Sequence, residues 1–221
     1  MDYDELIARL KAMENRTNVA GMARFGINSK NTLGISVVSL RKIAREVGKD
    51  HGLAIKLWAS GIHEARILAC LVAEPTKVTA ALMNRWVKDF DSWDVCDQCC
   101  MNLFDKTPYA YQKVKEWSAR KEEFVRRAAF ALMACLAVHD KEASNRDFQR
   151  FFPLIKSSAT DSRNYVKKAV NWALRQIGKR NAFLHREAMR IANEIAKIDS
   201  SSAKWIAADA IRELRSKTPR D

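Results

Sequence analysis

Apolar residues recur at three- and four-residue spacing along nearly the whole chain, and no stretch sustains the alternation of a half-buried strand. The spacing predicts helices over 3–14, 17–25, 36–47, 51–59, 63–73, 76–89, 92–104, 108–119, 122–138, 145–157, 163–178, 182–196 and 201–215, with short polar breaks between them. Local signals agree with many of these ends. Thr107-Pro108 reads as an N-cap followed by a first-turn proline. Ser36, Ser92 and Ser200 stand where N-caps belong, and Gly48 and Gly178 where helices stop. Pro153 falls inside 145–157 and predicts a kink or a split there.

About thirteen short helices with short connections fit stacked helical pairs, an all-α solenoid, better than a four-helix bundle. No identical motif returns at a fixed period, but helix pairs of roughly 30 to 45 residues fit HEAT-like repeats. No linker or low-complexity segment interrupts the chain, so the expectation is one domain over 1–221.

Composition narrows the partners. The 39 Lys and Arg exceed the 26 Asp and Glu, for a formal charge of +13, which favours phosphate-bearing polymers; a basic surface kept for solubility is the alternative. Cys70, Cys96, Cys99, Cys100 and Cys135 are odd in number and lie in apolar helical runs, which reads as reduced thiols in the cytoplasm. The N-terminal residues do not form a signal peptide, and the longest uncharged apolar run, Ala128 to Val138, is 11 residues, too short to span a bilayer. Cys96-x-x-Cys99 has no second pair and no histidine at ligand spacing, so no metal site is expected. His51, His63, His139 and His185 are scattered, and no phosphate-cradling glycine loop occurs.

Three helices carry the functional signal. In 163–178, Val166, Ala169, Val170, Ala173, Leu174 and Ile177 form one apolar arc, while Tyr165, Lys168, Trp172 and Lys179 share the far side. From Arg163 to Arg180 there are six basic residues, Arg175 among them, and no acid. Such a stripe suits a sugar-phosphate backbone; a tryptophan packed on a neighbouring repeat is the alternative. In 92–104, Trp93 and Asp97 are four residues apart and so share a face, with Asp97 at the margin of the apolar arc. Asp94, Gln98 and Asn102 are expected to face water. A carboxylate at that margin is either a perturbed functional group or a structural acid bonded to a neighbouring repeat. Helix 122–138 is apolar all round after Arg127 and should be buried. Arg126 and Arg127 near its start oppose the helix dipole, so a phosphate, or an acid such as Asp97, should compensate them.

Four segments together resemble the AlkD family of HEAT-like-repeat alkylpurine DNA glycosylases, over most of the chain. Met22-Ala23-Arg24-Phe25 with Leu33-Gly34-Ile35 is similar to the family's Met-Ala-Arg-Tyr and Leu-Gly-Ile. Trp93-Asp94-Val95-Cys96-Asp97 resembles its Trp-Asp-x-Val-Asp, and Arg127-Ala128-Ala129 its Arg-Ala-Ala. Lys168-Ala169-Val170-Asn171-Trp172-Ala173-Leu174-Arg175 resembles its Lys-Ala-Ile-Gly-Trp-Val-Leu-Arg. Phe25 stands where the family carries a tyrosine, and Val95-Cys96 departs from its x-Val order.

The resemblance implies a concave basic groove and hydrolysis of the N-glycosidic bond of cationic N3- or N7-alkylated purines in duplex DNA, without deep base flipping. It makes Asp97 the catalytic carboxylate, with Trp93 and Trp172 as aromatic partners of the lesion nucleotide. Phe25, Arg126, Arg127, Lys168, Arg175 and Lys179 are then the DNA-binding candidates. No cofactor or metal is implied. The expected partner is double-stranded DNA with alkylated purines, met by a monomer in the cytoplasm and associated with a bacterial or archaeal nucleoid. The competing reading is a non-catalytic helical-repeat protein that binds nucleic acid or a protein partner, since fold alone does not fix function.

Overall fold

A computed structural model describes residues 1–216, which contain helices and loops and no strand. The chain divides into two compact units, Met1–Tyr109 and Ala110–Asp221. No linker marks the division, which falls at the first residue of a helix.

The first unit holds α1 (Tyr3–Ala12), α2 (Arg16–Arg24), α3 (Val37–Val47), α4 (His51–Ala59), α5 (His63–Val72), α6 (Ala80–Trp86) and α7 (Trp93–Asn102). Side chains cap several of them: Asp2 and Glu5 form a capping box on α1, and Ser36, Asp50 and Thr79 accept from backbone N–H groups of α3, α4 and α6. Thr79 explains why 76–89 is not one helix: it starts α6 afresh after a 3-10 turn at Pro75–Lys77. Gly48, at φ +78°, ends α3 in a conformation that glycine reaches without strain. Helix α5 packs on α3, α4 and α7. Beside it Trp58 and Trp86 stack with centroids 4.1 Å apart, and Phe90 meets Trp58 edge-on at 5.9 Å.

The second unit holds α8 (Ala110–Ser118), α9 (Glu123–His139), α10 (Asn145–Gln149), α11 (Phe152–Ser157), α12 (Asn164–Gly178), α13 (Ala182–Ala196) and α14 (Ser201–Ser216). Helix α9 is its centre, with every residue from Arg127 to Ala137 buried, as an all-round apolar helix requires. It packs on α8 and α12, and α12 packs in turn on α13 and α14. The apolar arc of α12 is buried as its periodicity predicts. The expected 145–157 helix is split: α11 carries Pro153 in its first turn, where the missing N–H costs nothing.

Two caps differ from expectation. Thr107 does not start α8; its hydroxyl donates to the Phe104 carbonyl (2.8 Å) at the end of the preceding 3-10 turn, and α8 begins at Ala110. Ser92 precedes α7 but makes no cap bond, because its hydroxyl is spent on Asp94. Among the described residues, no helix is long and apolar enough to cross a membrane.

Candidate nucleic-acid interface

In the first unit the adjoining N-terminal ends of α5 and α7 hold the segment that follows α2. Glu64, fully buried, accepts three backbone N–H groups from it: Leu33 at 2.8 Å, Gly34 at 2.7 Å and Ile35 at 3.2 Å. The Leu-Gly-Ile segment is therefore a turn fastened by one carboxylate. Its glycine is obligatory on two grounds. Its φ is +78°, and a Cβ there would lie 2.3 Å from the Asn15 carbonyl oxygen. The His63 N–H donates to the Asn31 carbonyl (2.9 Å), and the Asn28 amide donates to Asp91 (2.8 Å).

Asp94 corrects an expectation. It does not face water but is 8% exposed, and its carboxylate meets His63 Nε2 (2.8 Å), the Ser92 hydroxyl (2.6 Å) and the Val95 N–H (3.0 Å). Helical spacing puts Asp94 on the polar side, but in the first turn a short acid can fold back onto the helix start, and α5 brings His63 to meet it. Burial pulls the His63 imidazole down, but the bond to Asp94 and the charges of Asp94, Glu64 and Asp91 outweigh it and hold His63 above its ordinary value. Burial pushes Asp94 up, and its bonds to His63, Ser92 and Val95 hold it below the usual carboxylate range. Ser92 and His63 both bond the acid rather than each other, so the three do not form a nucleophilic triad.

Trp93 and Asp97 share a face of the same helix, α7. Both are half-buried. The Trp93 indole N–H donates to the Phe25 carbonyl (3.1 Å), which ties α7 to the end of α2. The Phe25 ring is 77% exposed, the most open of the large apolar side chains in the described residues. The structure thus places the Phe25 backbone at Trp93, with Asp97 one helical turn further along α7.

The second unit holds the remaining candidates. Arg126 meets Asp161 (3.5 Å) and the Ser158 hydroxyl (2.9 Å), so the acid that offsets it near the start of α9 is Asp161. Arg127 is 5% exposed and donates to the Tyr165 carbonyl (2.7 Å), which joins α9 to α12. The far half of the α12 stripe is neutralised: Arg175 and Lys179 both pair with Glu213 of α14, and Arg175 also lies 3.8 Å from Asp209. Lys168 is exposed and Trp172 half-buried. The expected basic stripe is therefore open at its N-terminal half and ion-paired at its C-terminal half. Among the described residues no group of three or more His, Cys, Asp or Glu is placed to hold a metal ion.

The model of the family described as DNA alkylation repair enzyme matches residues 6–214. An uncharacterized protein of Listeria innocua is 21% identical over 207 residues, covering 91% of this chain and 90% of its own. One of Listeria monocytogenes is 21% identical over 201 residues, covering 89% and 87%. A solved structure at 20% identity superposes with a TM-score of 0.80 over 100% of this chain and 99% of its own. It is described as "a new family of proteins related to the HEAT-like repeat DNA glycosylases with affinity for branched DNA structures". That likeness establishes the fold as the HEAT-like helical repeat.

Proposed function

We propose that this chain, which belongs to the family of DNA alkylation repair enzymes, is a DNA glycosylase for cationic N3- and N7-alkylated purines in duplex DNA. The observation that carries the reading is the division of labour on α7. Asp94 is buried against His63 and Ser92, whereas Asp97 is half-buried on the face of α7 that also carries Trp93.

The chemistry asks little of an acid catalyst. An alkylated purine that already carries a positive charge departs with the electron pair of its N-glycosidic bond and leaves as a neutral base. Positive charge then develops on the deoxyribose, as in other oxocarbenium-like cleavages. Asp97 stabilises that charge and takes a proton from the water that adds to C1′. Trp93 supplies an aromatic face to the cationic sugar; Trp172, in the second unit, is the other aromatic candidate that the resemblance implies. Lys168 takes phosphate. Phe25 offers an apolar ring without the hydroxyl of the family's tyrosine. Arg126 and Arg127 act through the start of α9, and the ion-paired Arg175 and Lys179 enter as weaker contacts. The protein works as a monomer on DNA with alkylated purines, without deep base flipping, and needs no cofactor.

The described affinity of the solved relative for branched DNA favours one other reading, a DNA-binding protein without base release. Incubating the wild-type protein with N-methylated duplex DNA separates them. Release of 7-methylguanine or 3-methyladenine is the expected result. Binding to that DNA without release of either base supports the second reading instead.

A further inference from the structure

The cations of α12 are not equivalent. Of the six between Arg163 and Arg180, Arg163 is held by Asp161 and by the Lys121 carbonyl. Arg175 and Lys179 share Glu213. Arg180 donates to the carbonyls of Ala137, Lys141 and Ala143 and lies over the Phe148 ring. Lys167 and Lys168 have no acidic partner among the described residues. The Lys167 ammonium lies 5.0 Å from the ring centroid of Trp205, on α14.

Trp205 is unlike the tryptophans of the core. Trp58, Trp86 and Trp117 are 2–4% exposed, whereas Trp205 is 40% exposed, more than any other tryptophan of the chain. The acids near it are occupied: Asp199 by Lys204, and Asp209, one turn further along α14, by Arg212 and Arg175. Trp205 is therefore an open indole with the Lys167 ammonium over it, Lys168 follows Lys167 in the chain, and Asp199 and Asp209 are already paired. An ammonium has three donors, so Lys167 can stay over one face of the ring and still bond a phosphate, with the opposite face as the one a base would stack on.

We propose that Trp205 is a stacking platform for an unpaired base of a DNA strand, with Lys167 and Lys168 taking phosphates of the same strand. The proposal rests on the reading of the chain as a DNA repair protein and adds a second contact to it. An indole has no access to a base face inside an intact duplex, but it stacks readily on an unpaired base, whatever its identity. The contact therefore selects DNA that is single-stranded beside a duplex, as at a gap, a frayed end or a branch.

The test compares binding of a short labelled duplex carrying a tail of ordinary nucleotides with the same duplex carrying an abasic tail, which keeps the phosphates and removes the bases. The wild-type protein is expected to bind the ordinary tail about 10-fold more tightly than the abasic one. Trp205→Ala and Trp205→Leu are expected to abolish that ratio, and Trp205→Phe to retain most of it. Two variants without a flat ring guard against one that fails to fold. A wild-type ratio near one, or a folded Trp205→Ala or Trp205→Leu protein that keeps the wild-type ratio, overturns the proposal. Base release by the wild type is scored separately. Its absence removes the glycosylase reading and leaves the tail comparison standing, whereas release with no tail effect removes the platform alone.

Discussion

Asp94 and Asp97 show how three residues of separation divide two acids. Asp94 is locked by His63, and the pair gives the fold a pH window. His63 sits above its ordinary value, so its contribution is fully present below about pH 6.5 and is lost as pH rises through the raised folded value. Asp94 sits below its ordinary value, so its contribution is present above about pH 4 and is lost as pH falls through the lowered one. Urea unfolding across pH should show a plateau between these limits and a decline on each side. Asp94→Asn should cost about 3 kcal/mol at pH 6, since it removes the anion that keeps the buried imidazole charged, and should flatten the alkaline decline. An unchanged pH profile in the variant would remove this role for the pair. Glu64→Ala strips three N–H groups, two of them buried, of their acceptor and should lower stability by about 3 kcal/mol. Neither role is visible in the sequence. His63 and Asp94 are 31 residues apart, and periodicity within one helix says nothing about which side chain a neighbouring helix brings.

At the scale of elements the amphipathic pattern was legible almost throughout. It located α9 as a buried rod and picked out the buried arc of α12 residue by residue. What it missed follows from contacts between helices. Arg175 and Lys179 look like free phosphate ligands until α14 supplies Glu213, 38 residues beyond Arg175. Gly178 reads as a stop signal, but its φ is not positive, and its value lies in close approach. A Cβ there would lie 2.8 Å from Ala188 Cβ and 2.8 Å from Leu214 Cδ2. Gly178→Ala should therefore destabilise the protein by about 1–2 kcal/mol, despite the better helix propensity of alanine. A thermal midpoint equal to or above that of wild type would show that α13 and α14 shift freely to admit the methyl.

At the scale of the whole molecule the formal charge of +13 overstates what DNA meets, because many cations are held by acids or by carbonyls. Binding to duplex DNA should weaken with salt on a log–log plot. Lys168→Gln should reduce the magnitude of that slope by about one, and Arg175→Gln by less, because Glu213 already holds the arginine. Equal changes in the two variants would mean that the Glu213 pairs open on binding. The HEAT-like architecture was readable from helix number and length, and the family from four short segments. The separation of Asp94 from Asp97 needed the fold.

The most direct test of the central claim is the rate of 7-methylguanine release from methylated duplex DNA by Asp97→Asn compared with wild type, with DNA affinity measured alongside. A fall of about 100-fold or more in release, with binding retained, is the predicted result. Release at the wild-type rate by Asp97→Asn would contradict the assignment of Asp97 as the catalytic carboxylate.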